Sequence, residues 1–69
     1  MITVYSKTNC PGCESLKKEL DAKNIPYNTV LIDKDVEGKI KVLEAGFRSV
    51  PQIFDEVSQS FISREQAGL

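Results

Sequence analysis

The sequence predicts an α/β domain built on a mixed four-stranded sheet with flanking helices. Three observations lead there. Stretches rich in β-branched and aromatic residues alternate with stretches whose apolar residues recur every three or four positions. The resulting order is strand, helix, strand, helix, strand, strand. The chain has 69 residues, which makes one small domain over residues 1–69. A domain this short buries only about 60% of the surface its unfolded chain exposes, so its core is thin.

Ile2 to Ser6 reads as the first strand, followed by a polar break at Lys7-Thr8-Asn9. Pro11 stands where a helix can begin, because the N–H it lacks would be unpaired there anyway. Leu16 and Leu20 lie four apart on one face, with Cys13 three residues before Leu16. Glu14, Lys17, Lys18, Glu19 and Asp21 supply the wet face. The helix runs from about Pro11 to Lys23 and stops at Asn24, ahead of Pro26. Tyr27 to Ile32 reads as a second strand, buried toward its end, and Asp33-Lys34-Asp35 as a turn and cap. Val36, Ile40 and Leu43 mark the apolar face of a second helix, Phe47 continues that face, and Gly46 terminates the helix. Gly38 weakens this helix by ~1 kcal/mol relative to Ala. Gln52-Ile53-Phe54 and Gln59 to Ile62 are two short strands joined by a turn around Asp55 to Ser58. Ser63 and Gln66 have capping-box spacing, so a last helical turn starts there. The strand–helix–strand opening favours a parallel pair with a right-handed crossover, and the last two strands an antiparallel hairpin. The sum is a thioredoxin-like fold.

Composition narrows the function classes. Apolar content is 41%, charged content 28% and net charge −1, a globular balance. With no basic run, nucleic acid is not an expected partner. The longest apolar run, Val30-Leu31-Ile32, is far too short to span a bilayer, so no membrane association is expected. Met1 leads straight into a strand-like segment without a basic leader, which points to a cytoplasmic protein. A monomer is expected.

The chemistry concentrates in Cys10-Pro11-Gly12-Cys13. The pair closes too small a loop to serve mainly as a staple. In a cytosolic-looking chain it reads as redox chemistry or metal ligation. A thiolate, not a thiol, is the nucleophile, and the positive end of a helix stabilises an anion. Cys10 sits at that end and is assigned the attack on a substrate disulfide, with Lys7 adding positive charge nearby. Cys13, inside the first turn, is more buried and resolves the mixed disulfide by attacking the Cys10 sulfur. Three other readings stay open. Structural zinc needs four ligands, and with no His and no third Cys only a dimer could supply them. A subunit-bridging iron–sulfur cluster is a second, and inert packed cysteines are the third.

Val4-Tyr5-Ser6-Lys7 ahead of the cysteine motif, and Gly46 through Phe54 later, resemble glutaredoxins, and the resemblance covers nearly the whole chain. It is nearest to the compact viral (phage) and bacterial members. Ser49-Val50-Pro51 matches the family's Thr-Val-Pro segment with Ser in place of Thr. The resemblance implies that Val50–Pro51 is a cis bond facing the cysteines. Val50 is then free to hydrogen-bond an extended substrate as an added strand would. Pro51 as the start of an edge strand is the plainer alternative. The resemblance also implies that Lys7 and Arg48 lie near the carboxylates of glutathione and that Ser49, Val50 and Pro51 grip its cysteinyl part. Solvated surface charge is the alternative for Lys7 and Arg48.

What the resemblance implies for activity is a glutathione-dependent thiol–disulfide oxidoreductase acting on protein disulfides and glutathione mixed disulfides. Glutathione is then a cosubstrate, with no cofactor bound and no metal. Ribonucleotide reductase is among the implied protein substrates. Recharging runs through glutathione and glutathione reductase, or, in a related subgroup, through thioredoxin reductase. An iron–sulfur-binding dimer assisted by glutathione and a non-catalytic interaction domain are the remaining rivals. The sequence departs from the family in three places. Gly12 replaces an aromatic, Ser63-Arg64 stands where Gly-Gly is usual, and Gln66-Ala67 stands where acidic residues are usual. The N–H groups of Glu65 and Gln66 are left to bind the glutathione carboxylate, and weaker glutathione binding is expected.

Overall fold

Five consecutive buried residues make Ile2–Ser6 a strand covered on both faces, here β1. The computed structural model describes residues 1–69 and continues with α1 (Pro11–Ala22), β2 (Tyr27–Leu31), α2 (Val36–Glu44), β3 (Gln52–Asp55) and β4 (Ser60–Ile62). The sheet order is β2-β1-β3-β4. β1 pairs parallel with β2 and antiparallel with β3, and β3 pairs antiparallel with β4. This is the mixed four-stranded sheet the sequence predicts.

The two-residue period of the strands divides the core between the two faces. Ile2, Val4 and Ile53 point to one face and meet Leu16 and Leu20 of α1. Tyr5 and Phe54 point to the other and meet Val42 of α2. On that second face Phe61 packs at tilted or edge-to-face angles against Tyr5, Phe47 and Phe54, with centroids 5.0–5.7 Å apart.

Both helices end as their sequences foretell. Asn24 takes a positive φ of 57°. The N–H of Asn24 donates to Asp21 O, and that of Ile25 to Leu20 O. Gly46, at φ 90°, does the same for α2, with its own N–H on Leu43 O and the Phe47 N–H on Val42 O. Both are Schellman ends, each with an apolar residue folded back on the helix. α1 stops at Ala22, with Lys23 as its cap, and β2 ends at Leu31.

The face of α2 is a correction. Val36, Ile40 and Leu43 are exposed (73%, 48% and 47%), whereas Gly38 and Val42 are buried. A Cβ on Gly38 would lie 2.6 Å from Val30 Cγ1. Helix and sheet approach each other through that glycine, so the stripe carrying the smallest side chain is the one turned inward. The helix-weakening glycine is the condition for close packing. Phe47 does reach the core, but from beyond the helix end.

The last turn forms at Ser63 and stays one turn long. The Ser63 N–H donates to Gln66 Oε1 (2.9 Å) and the Gln66 N–H to Ser63 Oγ (3.1 Å), a reciprocal capping box. Gly68, at φ 99°, closes it, with the Gly68 N–H on Glu65 O and the Leu69 N–H on Arg64 O. Ala67 and Leu69 pack on the α1 face of the core. No helix is long and apolar enough to cross a membrane.

Candidate active site

The site is built where β1 gives way to α1. The loop between them is tied to the end of β2 at two points. The Ile32 N–H donates to Ser6 O (2.8 Å), and the Thr8 N–H to Asp33 Oδ1 (3.2 Å). Thr8, through its side chain first and its N–H second, holds the Asp33 carboxyl below the usual carboxylate range. Asn9 then takes a left-handed φ of 56°, a conformation Asn tolerates better than most residues, and the chain enters α1.

Cys10 is the N-cap of α1 and Pro11 its first residue. The Cys13 N–H donates to Cys10 Sγ at 3.2 Å, so sulfur does what a Ser or Asp oxygen does at other helix starts. Cys10 and Cys13 are joined as a disulfide, with Cα atoms 5.2 Å apart. Cys13 is fully buried, and Cys10 keeps a small exposed area of 7%. That difference runs in the direction required for an outer, attacking sulfur and an inner, resolving one.

The segment before β3 meets this loop from the other side. The β1–β3 register pairs Tyr5 with Gln52, and continuing it sets Ser6 against Pro51 and Lys7 against Val50. The Val50–Pro51 bond is cis, as the sequence resemblance implies. A Cβ on Gly12 would touch Pro51 Cδ at 3.7 Å, so the Cys-Pro-Gly-Cys loop and the proline loop lie in contact. The Val50 N–H and C=O take part in no backbone ladder and no side-chain hydrogen bond. Lys7, Arg48 and Ser49 are exposed, and Val50 and Pro51 half-buried.

Glu65 and Gln66 are placed differently. Their turn starts beside the end of β4 and runs back toward the far end of α1, where Gly68 meets Ile25 and the Lys23 ammonium reaches Gly68 O. The Gln66 N–H is already engaged by Ser63, and Arg64 is ion-paired with Glu19 of α1. The Arg64–Glu19 pairing joins residues 45 apart and leaves no local signal in the sequence. The same is true of Ser6, which is fully buried at the end of β1. A serine at a strand end reads as neutral.

Comparison with known proteins agrees with this geometry. A glutaredoxin family model matches residues 2–62. The glutaredoxin-like protein NrdH of Lactococcus lactis subsp. cremoris is 47% identical over 53 residues, which cover 77% of this chain and 74% of that one. A glutaredoxin of Ricinus communis is 40% identical over 57 residues, 77% of this chain and 56% of its own. Among solved structures, the thioredoxin-like protein BC3987 superposes with a TM-score of 0.78 at 23% identity, over 91% of this chain and 85% of that one. A buckwheat glutaredoxin–glutathione complex superposes with a TM-score of 0.72 at 27% identity, over 96% of this chain and 62% of that one. A paired-cysteine helix start facing a cis-proline loop, carried on a sequence this close to such relatives, is a thiol–disulfide oxidoreductase, and the chain belongs to the glutaredoxin family.

Proposed function

We propose that this enzyme passes electrons from glutathione to protein disulfides and to glutathione mixed disulfides, with Cys10 as nucleophile and Cys13 as resolving thiol. The observation that carries the reading is the Cys13 N–H aimed at Cys10 Sγ at the N-terminus of α1. A sulfur so placed is stabilised as a thiolate by the helix end and by a donor already pointing at it. The Cys10 thiolate attacks one sulfur of the substrate disulfide; a Cys10–substrate bond forms and the other half leaves as a thiolate. Cys13 then attacks Cys10, the internal disulfide forms, and the second half departs, taking the Cys13 proton. Two electrons from outside reset the pair. The unbonded Val50 N–H and C=O beside the cysteines suit an extended substrate segment, laid down as an added strand. Lys7, Arg48, Ser49, Val50 and Pro51 form the rim on which glutathione is held. Glutathione acts as cosubstrate and no resident cofactor is required. A ribonucleotide reductase disulfide is a fitting protein substrate, and a reducing cytoplasm a fitting setting for a monomer of this kind.

A second reading concerns the electron source. The Gln66 N–H is taken by Ser63 and Arg64 by Glu19. Gln66 and Arg64 therefore offer little to the glutathione carboxylate, which favours recharging by thioredoxin reductase. A coupled assay run twice decides between them, once with glutathione and glutathione reductase and once with thioredoxin reductase. Turnover in the first arm supports the glutathione reading, and turnover confined to the second replaces it. Loss of Cys10 must abolish turnover in both arms; activity retained by Cys10→Ser would remove the dithiol mechanism altogether.

A further inference from the structure

The missing side chain of Gly38 leaves a hole as well as a close approach. A Cβ there would lie 2.6 Å from Val30 Cγ1, 3.5 Å from Tyr5 Cε1 and 3.6 Å from Asp35 Cγ. An apolar wall, an aromatic edge and a carboxyl therefore converge on one point. The cavity around it has a volume of about 220 Å³ and is lined by Tyr5, Val30, Asp35, Glu37, Gly38 and Lys41. It lies between α2 and the β1–β2 pair, on the face of the sheet opposite α1.

The polar groups of this cavity are unusually short of partners. Tyr5 is only 5% exposed, yet its hydroxyl makes no hydrogen bond within the protein and borders the cavity. A phenol OH so deeply placed ordinarily finds a partner. Glu37 stands four residues before Lys41, the favourable order for a helical ion pair. That pair is not formed. The Lys41 ammonium turns instead onto the aromatic cluster, 3.7 Å from the Phe54 ring centroid and 6.0 Å from that of Tyr5. Asp35 caps α2 with Oδ1, which accepts the Gly38 N–H at 3.0 Å, and leaves Oδ2 over. Two carboxylates thus face the cavity without a cation, and the one ammonium near them is held by aromatic rings.

We propose that this cavity receives the side chain of an arginine or lysine from a partner protein. The cationic head lies against the Asp35 and Glu37 carboxylates and donates a hydrogen bond to the Tyr5 hydroxyl. The methylene stem rests on Val30 and on the bare backbone of Gly38. Size points to a single side chain: pockets for whole small-molecule ligands run from about 300 to 1,000 Å³, and this one is smaller. Charge points to a cation, because the lining residues sum to one negative charge. The site is separate from the cysteines, which lie on the α1 side of the sheet, so a partner held here leaves the disulfide uncovered.

The test titrates the isotope-labelled full chain with capped Ala-Arg-Ala and Ala-Lys-Ala peptides, with agmatine as a free amine and with capped Ala-Gln-Ala as the uncharged control. Either cationic peptide should produce saturable amide shifts centred on Val30, Glu37, Gly38 and Lys41, with dissociation in the millimolar range, and the control none. Glu37→Gln weakens binding about fivefold, the loss of one exposed ion pair. Tyr5→Phe weakens it as well. Lys41→Gln removes the opposing charge and tightens it. Glu37 is exposed, so its variant keeps the test decisive should Tyr5→Phe unfold. Absence of saturable shifts with both cationic peptides overturns the proposal. So does equal binding of the glutamine peptide, or weaker binding in Lys41→Gln, which would make this an anion site. Agmatine binding more tightly than either peptide replaces the partner protein with a free amine.

Discussion

At the scale of single residues, the chemistry of the site comes from which atoms are hydrogen-bonded and which are left free. Cys10 Sγ receives the Cys13 N–H at the positive end of α1. In Cys13→Ser protein, Cys10 is expected to titrate well below the free-thiol value of about 8.5. Ultraviolet titration checks it, and a midpoint at or above the free value would exchange the roles of the two cysteines or dissolve them. Asp33 governs a different property. Thr8 holds its carboxyl low, so the folded state binds a proton there less readily than the unfolded chain does. That stabilisation is complete above the ordinary value of 3.8 and is lost as pH falls through the lowered folded value. Asp33→Asn is therefore expected to lower the neutral plateau slightly and flatten the acid limb, the two proteins converging in strong acid. Urea midpoints from neutral to strongly acidic solution measure this, and parallel acid limbs in the two proteins would contradict it.

At the scale of elements, Gly38 gives the sharpest expectation. Gly38→Ala gains up to ~1 kcal/mol in helix propensity. Against that, its Cβ would fall 2.6 Å from Val30 Cγ1. Val30 is β-branched and stiff, and overpacking costs about 1–3 kcal/mol. The clash wins, and Gly38→Ala is expected to destabilise by ~1–2 kcal/mol, with recovery in a Gly38→Ala, Val30→Ala double variant measured in urea. This glycine also marks what the sequence conceals. The four strands, α1, both helix stops and the capping box are legible because each is written in a few adjacent residues: β-branched runs, Leu16 and Leu20, Asn24, Gly46, Ser63 with Gln66. The inward face of α2 is not. Val36, Ile40 and Leu43 form a proper apolar stripe, but an adjoining stripe with a glycine allows closer approach to the sheet, and only tertiary contact selects between them. The cysteines and the cis proline were legible as motif and resemblance. The commitment of Gln66 and Arg64 to Ser63 and Glu19, and the burial of Ser6, depend on packing between distant segments and have no local signature.

At the scale of the whole molecule, the core is two small clusters separated by the sheet, with five buried residues on the α1 side and three on the α2 side. Neither has redundancy. Leu20→Ala empties part of the larger cluster at a fully buried site, and such truncations cost about 2–5 kcal/mol. Against a total of about 5–15 kcal/mol for natural domains, a large share of the molecule's stability is expected to go. Guanidinium unfolding should place the variant's midpoint far below the parent's, while the protein that remains folded still reduces a small disulfide. The central position of β1 has one more consequence. It is laddered to β2 on one edge and β3 on the other, and all five of its residues are buried. Its amides have no route to solvent short of opening the entire sheet, so they should trade deuterium only at the rate of global unfolding. The one-turn segment after β4, held by its own cap and an exposed ion pair, should trade through local fraying. The cysteine loop thus hangs from the slowest-exchanging strand of the protein, which keeps the two sulfurs in register through repeated cycles of bond making and breaking.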